Sequence, residues 1–220
     1  MRHWNVLLAL AATLALPAHA GADVLSGTVV TRVRPGATAV MAVVYAEPSS
    51  GRPAASPPGP FSIAQRNKTF TPRVMGVPVG AVVRFPNEDG VFHNVFSLSP
   101  GHVFDLGLYR GGASKSRTFT TPGVVRLFCN IHPQMTALVV VVDTPWIANA
   151  GADGAFRLDL PAGRYTITAL SDRAAAVSVE VTVAGVTSAP PLSLDERAFV
   201  ATPHTNKFGK PYTDAAYKHP

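Results

Sequence analysis

Short apolar runs broken by glycine and proline follow one another along the chain, which holds 20 Pro and 18 Gly in 220 residues. Residues 156–160 alternate apolar with charged side chains, and residues 177–183 alternate Val with Ser, Glu and Thr, as half-buried strands do. Residues 139–142 are all Val, which predicts a strand buried on both faces. Almost nothing has a helical period, so the pattern predicts an all-β sandwich or barrel. The predicted strands are 25–33, 39–46, 61–65, 81–85, 93–98, 116–120, 124–129, 136–142, 156–160, 165–169 and 177–183.

Composition then divides the chain into segments. Residues 48–60 are rich in Pro, Ser, Gly and Ala and predict a linker or loop. A β-meander pattern begins near Trp146, and residues 190–220 have weak periodicity, which predicts an extended C-terminal tail on the surface. His204 and His219 lie in that tail, where we expect solvated histidines in preference to metal ligands.

Residues 1–20 predict a secretory signal peptide. Arg2 gives a positive start, residues 6–16 form an apolar run, and residues 18–20 form a small-x-small site with cleavage after Ala20. The alternative is an uncleaved anchor, but the run is too short to span a bilayer comfortably. We therefore expect a periplasmic or secreted mature protein without an integral membrane segment.

The net charge of +6 and the single cysteine narrow the function classes. Basic residues are scattered and not interleaved with aromatic ones, so no nucleic-acid site is expected, and the charge serves solubility or attracts an acidic partner. One cysteine cannot form an internal disulfide, so Cys129 is either an inert core thiol or a thiol held by a metal. No Gly-x-Ser-x-Gly elbow or phosphate loop occurs, so we do not expect an enzyme.

The segment Phe-Cys-Asn-Ile-His-Pro-Gln-Met places a thiol, an imidazole and a thioether close together in the chain, as Cys129, His132 and Met135. Cys129 ends one predicted strand and Met135 precedes the next. A turn between antiparallel strands would therefore bring the three side chains to one end of a sandwich. Soft sulfur ligands with imidazole favour copper, and Met is a poor zinc ligand. The blue-copper ligand set of one Cys, two His and a weak axial Met requires a second His.

His93 fits the role of the second imidazole. It opens a predicted strand directly after the polar loop 86–90, which places it at a sandwich end. His102 is a competitor, but it lies in a Ser-Pro-Gly-His loop with no predicted strand to hold it. The sequence therefore predicts a copper site made by His93 together with Cys129, His132 and Met135.

At these residues the chain resembles the cupredoxins, above all the amicyanin and plastocyanin-like proteins of the methylamine-utilisation type. The resemblance covers about residues 61–143 and is carried by the Cys-x2-His-x2-Met loop and the His93-Asn94 pair. It implies a Greek-key β-sandwich and a type 1 copper site that transfers one electron at a time. It also implies that Asn94 ties the two ligand-bearing segments together near the Cys129 sulfur.

The same resemblance implies an exposed edge for His132 within an apolar patch, where a redox protein partner docks. Ile131 and Pro133 would line that patch, and Val91 and Phe92 are further candidates. Phe92 stands next to a ligand and could equally be a core residue.

The flanks resemble a different kind of β structure. Residues 153–165, with Asp-Gly and Pro-Ala-Gly turns, resemble carboxypeptidase-regulatory-like, transthyretin-like modules, and residues 25–29 resemble their first strand. Neither flank alone has enough strands to close a core. We therefore expect residues 24–47 and 146–189 to form one smaller β-sandwich module, with the cupredoxin domain, residues 61–143, inserted into it.

An exported one-electron carrier is the function that the ligand pattern favours. Two alternatives stay open at this stage. A copper-binding or delivery protein would use the same ligands, and a structural interaction module with an incidental copper site would depend on the flanks.

Overall fold

The computed structural model describes residues 23–38, 41–51, 59–200 and 203–212. These ranges contain strands, turns and loops without a helix, which confirms the all-β prediction. Within them there is accordingly no helix of the length and apolar character that crossing a membrane requires. The predicted signal peptide, residues 52–58 of the predicted linker and His219 lie outside the described residues.

The strands are numbered in chain order. Their bounds are β1 Asp23–Arg32, β2 Val43–Pro48, β3 Phe61–Ser62, β4 Ala64–Arg66, β5 Thr69–Thr71, β6 Val74–Pro78, β7 Val82–Pro86, β8 His93–Ser97, β9 Phe104–Tyr109, β10 Ser114–Thr118, β11 Gly123–Phe128, β12 Thr136–Val142, β13 Ile147–Asn149, β14 Ala155–Leu160, β15 Gly163–Leu170, β16 Val177–Val183, β17 Val186–Ser188 and β18 Leu192–Asp195.

Two sheets enclose the first core. One has the strand order β6-β12-β11-β8-β9 and the other β10-β7-β3. β6 runs parallel to β12 and β3 parallel to β7, whereas the other neighbours are antiparallel. The result is a β-sandwich, as the sequence predicts. The large apolar side chains between its sheets include Ile63, Phe70, Val83, Phe85, Val95, Phe119, Val125, Leu127, Val139 and Val141.

A second core lies between two further sheets. One has the order β13-β2-β15-β16, and the other has the order β14-β1-β17, with β18 also paired to β1. Strands that precede the first sandwich in the chain pair directly with strands that follow it. β1 pairs with β14, and β2 pairs with both β13 and β15. The buried side chains of this core include Leu25, Val44, Leu158, Ile167 and Leu194.

β18 lies within the range 190–220 that the sequence predicts as a tail. Leu192 and Leu194 are buried in the second core, while Ser193 and Asp195, which alternate with them, are exposed. A strand of four residues carries only two apolar positions, which is too short a run for periodicity alone to identify.

β12 contributes to two cores because successive side chains of a strand point to opposite faces. Val139 and Val141 belong to the first core. The predicted burial of residues 139–142 on both faces is confirmed. The opposite face joins a third cluster between the two sandwiches, formed by Val43, Val74, Leu138, Val140 and Val142.

β6 and β9 are strands that the sequence pattern misses, and each contains a glycine. A Cβ on Gly76 of β6 would overlap the side chains of Ile147 and Val43, so close packing against the second sandwich requires glycine there. Gly107 of β9 has a φ of 70°, a conformation that glycine adopts without a steric penalty. Both glycines interrupt the apolar alternation on which the prediction depends.

Candidate metal centre

The predicted ligands lie at one end of the first sandwich because of how three strands pair. β11 and β12 form an antiparallel pair in which Phe128 faces Thr136, so residues 129–135 make the connecting loop. β8 pairs with β11 through Phe96 and Phe128, which brings the start of β8 beside that loop. His93 is the first residue of β8.

Three of the four predicted ligands converge. The Nδ1 atoms of His93 and His132 are 3.0 Å apart, and the Cys129 Sγ is 3.7 Å from the His132 Nδ1. All three donor atoms lie within 4.8 Å of one another. A metal ion bonded at roughly 2.0–2.1 Å to nitrogen and roughly 2.3 Å to sulfur separates such donors by roughly 3.3–3.8 Å. The donor set therefore fits one small metal ion.

Met135 lies in the same core as Cys129 and is fully buried. Its backbone amide donates to the His132 carbonyl at 3.0 Å, and its carbonyl accepts from the Cys129 amide at 3.3 Å. These two bonds fold the loop back on itself, so the first and last ligand-bearing residues are adjacent.

His102 is not a member of this group. Its ring is buried beside Phe119, with a centroid separation of 6.4 Å, and its Nε2 lies 3.4 Å from the carbonyl oxygen of Pro122. His102 therefore packs within the fold, away from the three converging donors.

The sulfur of Cys129 is buried and surrounded by amide donors. Burial raises the pKa of the Cys129 thiol, and hydrogen bonds from the backbone N–H groups of Ile131, Asn94 and His132 oppose that rise. The raised pKa keeps the thiol protonated when no cation is nearby. The same N–H groups would stabilise a thiolate once a metal supplies positive charge.

Asp89 is a functional contact that the sequence analysis missed. Its Oδ2 lies 2.7 Å from His93 Nε2, and a carboxylate can only accept, so Nε2 carries the ring proton. The lone pair of His93 is then on Nδ1, the atom that faces His132. In the sequence, Asp89 stands four residues before a predicted ligand. It lies in the polar loop 86–90, where an acidic residue is equally typical of a turn.

The Asp89 carboxylate is itself held in place. Its oxygens accept from the backbone amides of Asn67 and Lys68 at 2.6 and 2.8 Å. Burial raises the pKa of Asp89, but hydrogen bonds from Lys68, His93 and Asn67 lower it by a larger amount. The pKa of Asp89 therefore lies below its usual value. Asp89 is therefore ionised at neutral pH and fixes the orientation of the His93 ring.

Asn94 connects the two segments that carry the predicted ligands. Its Oδ1 accepts from the backbone amide of Asn130 at 3.2 Å, and its Nδ2 donates to Asp105 Oδ1 at 2.6 Å. Asn94 is fully buried. One side chain thus links β8, β9 and the 129–135 loop next to the Cys129 sulfur.

The residues predicted to line an apolar patch differ in exposure. Val91 and Phe92 are 43% and 55% exposed, so Phe92 is a surface residue and not a core residue. Pro133 is exposed, and Ile131 and His132 are half-buried. The loops on both sides of the donor group therefore present apolar side chains to solvent.

No family model matches this sequence, and no curated protein matches it. Among solved structures, a purple cupredoxin from Nitrosopumilus maritimus is 26% identical, covers 37% of this chain and 99% of its own, and has a TM-score of 0.34. A Cu(I) amicyanin variant is 23% identical, with coverage of 44% and 99% and a TM-score of 0.36. The copper-containing nitrite reductase of Thermus scotoductus is 27% identical, with coverage of 44% and 25% and a TM-score of 0.37.

These similarities extend over less than half of this chain. TM-scores of this size carry no functional conclusion, so the site is interpreted from its own geometry.

Proposed function

We propose that this chain is an exported type 1 copper protein that carries one electron at a time between redox partners. The observation that carries the proposal is the convergence of His93, Cys129 and His132 within 4.8 Å at one end of a β-sandwich. Met135, buried in the same core, would supply a thioether as the fourth ligand.

The chemistry of the donor set favours copper. A thiolate with two imidazoles and a thioether is soft, whereas the carboxylate at Asp89 is engaged by His93 and two backbone amides. Copper bound here would supply a centre that gains and loses one electron. Backbone and Asp89 contacts hold these residues in place, and they would favour one arrangement of the ligands in both oxidation states.

Burial favours a carrier over an enzyme. His93, Cys129 and Met135 are fully buried, and four protein ligands would leave no open position of the kind that catalytic metal sites keep for substrate. His132 is only half-buried, and electrons would pass through its edge to a redox protein docked on Ile131, Pro133, Val91 and Phe92.

The flanking strands are proposed to form an accessory module. Direct pairing of β1 with β14 and of β2 with β15 supports a shared sandwich made from residues 24–47 and 146–189. The buried Leu192 and Leu194 of β18 support extending it past residue 189. The predicted signal peptide of residues 1–20 supports export with cleavage after Ala20.

The visible spectrum of the mature chain with Cu(II) tests the copper site. We expect an intense sulfur-to-copper charge-transfer band in the wild type and in His102→Gln, and no such band in Cys129→Ser. His102→Gln is the matched control, because it removes a buried histidine outside the donor group. A folded wild-type protein that develops no band overturns the proposal.

Electrochemistry tests the carrier role. We expect a reversible one-electron wave and fast electron self-exchange, because a ligand set held in place by the fold would rearrange little on electron transfer. Rapid loss of Cu(I) to a mild chelator, faster than electron exchange, contradicts a carrier and favours copper delivery.

A further inference from the structure

A short C-terminal segment, residues 203–212, contacts three consecutive residues where β11 ends and the proposed ligand loop begins. The His204 ring stacks on the Phe128 ring, with centroids 4.2 Å apart and planes at 20°. The Tyr212 hydroxyl donates to the carbonyl of Cys129 at 2.9 Å. The backbone amide of Lys207 donates to Asn130 Oδ1 at 3.0 Å.

Lys207 also closes a ring of polar contacts. Its Nζ lies 2.7 Å from Asp105 Oδ2, and Asp105 Oδ1 accepts from Asn94 Nδ2 at 2.6 Å. Asn94 in turn accepts from the amide of Asn130, whose side chain accepts from Lys207. The ring therefore joins the C-terminal segment, β9, β8 and the ligand loop.

The charge of Asp105 is stabilised within this ring. Burial raises the pKa of its carboxyl, but hydrogen bonds from Lys207, Asn94 and the amide of Gly107 outweigh burial and lower the pKa. A carboxylate between a lysine and an amide forms stronger, charge-assisted hydrogen bonds than a neutral pair does.

The segment also has internal order. Asn206 is 7% exposed, and its Oδ1 accepts from the amides of Phe208 and Lys210. The Asn206 amide donates to the Lys210 carbonyl, and Gly209 takes the positive φ of 72° that the turn requires. Residues 206–210 are thus a closed turn that presents the Lys207 amide to the loop and the Lys207 side chain to Asp105 of β9.

His204 is not the solvated histidine that the sequence predicts. It lies between Phe128 and Tyr212, with ring centroids 4.2 and 5.2 Å away. Burial lowers the pKa of His204, so the stacked ring is neutral at pH 7.

From these contacts we infer that residues 203–212 are a strap that positions the copper-ligand loop, with Lys207 and Tyr212 as its positioning residues. The inference rests on the proposed copper function. The strap holds the carbonyl of Cys129 and the side chain of Asn130, and the next two amides, of Ile131 and His132, donate to the Cys129 sulfur. Contacts outside the ligand set tune metal affinity and reduction potential through such hydrogen bonds.

The test uses the mature chain with Tyr212→Phe or Lys207→Met. Lys210→Met is the matched control, because Lys210 is an exposed lysine of the same segment. Lys207→Arg is the rescue variant, since it keeps a cation next to Asp105. Each protein is first studied without copper, by hydrogen exchange at the Asn130 amide and by the rate at which a thiol reagent modifies Cys129.

Loss of one hydrogen bond or ion pair from the strap should raise both copper-free rates about fivefold to tenfold. Lys210→Met and Lys207→Arg should remain within about twofold of the wild type. With copper bound, we expect Tyr212→Phe and Lys207→Met to shift the charge-transfer band and to release Cu(I) to a chelator about fivefold faster.

The outcomes separate the strap from the copper function. If Tyr212→Phe and Lys207→Met both match the wild type in hydrogen exchange, thiol reactivity and copper release, the proposed role of the strap is wrong. This holds even if the wild-type protein shows the charge-transfer band. A wild type without the band, but with faster copper-free exchange in the two variants, overturns the copper function and supports the positioning contact.

Discussion

A single hydrogen bond decides which atom of His93 is available for chemistry. The ring is fully buried, and its Nε2 proton is donated to Asp89. The unprotonated Nδ1 then faces the imidazole of His132 and the sulfur of Cys129. Asp89 therefore acts on a proposed ligand without being one, and its own position depends on the amides of residues 67 and 68.

Asp89→Asn tests this role with almost no change in volume. The substitution replaces one acceptor oxygen by an NH2 donor. Because the carboxylate accepts from three N–H groups in the native site, at least one of these hydrogen bonds is lost. We expect copper affinity to fall about 10- to 100-fold, measured by competition with a Cu(I) chelator. Glu88→Gln, at an exposed ion pair with Arg66, should leave affinity unchanged. Equal affinities for all three proteins would contradict the role of Asp89.

At the scale of elements, β6 is a strand of the first sandwich that packs directly against the second. It runs parallel to β12 and packs against β13 and β2 through Gly76, which has no room for a Cβ. The glycine contributes no apolar side chain to the strand, but it lets the side chains of Ile147 and Val43 pack against its backbone. The order β6-β12-β11-β8 then places the proposed ligands at the ends of neighbouring strands of one sheet.

Gly76→Ala should destabilise the protein because the added methyl overlaps two packed side chains. We expect the free energy of unfolding to fall by about 1–3 kcal/mol, measured by urea denaturation of the copper-free protein. Gly90→Ala adds a methyl in open space, where φ is not positive, and should be neutral or slightly stabilising. An unchanged urea midpoint for Gly76→Ala would contradict the prediction, since it would mean that β6 can move away from β2 and β13 at little cost.

The whole molecule is joined by a third apolar cluster that belongs to neither sandwich alone. Strands β2, β6 and β12 contribute Val43, Val74 and Leu138 to it, and each of the three is at most 1% exposed. Because these side chains lose their burial if either sandwich unfolds, the two sandwiches are expected to unfold together.

Leu138→Ala tests this coupling. We expect it to lower the free energy of unfolding by about 2–5 kcal/mol, as truncation of a buried leucine does. Val124→Ala, at an exposed position on the neighbouring strand, should change it by less than about 0.5 kcal/mol. Trp146 fluorescence follows the second sandwich and Cys129 thiol accessibility follows the first. Separate wild-type midpoints for the two probes would contradict cooperative unfolding.

The sequence by itself determined the features encoded over a few residues. The spacing of Cys129, His132 and Met135 defines one loop between two strands, and local alternation identifies most of the strands that surround it. The His93-Asn94 pair was found from its family resemblance and from its place at a strand start. Such signals are readable because short-range geometry follows directly from the strand period.

Only the tertiary structure decided which distant segments meet. Three contacts depend on packing between segments of the chain. They are the contact of Asp89 with His93, the binding of residues 203–212 to the loop and the pairing of β18 with β1. Their sequences carry no period that identifies a partner, because many polar residues could make the same hydrogen bond. Strand register and the shape of the shared core select among them, and both are properties of the assembled chain.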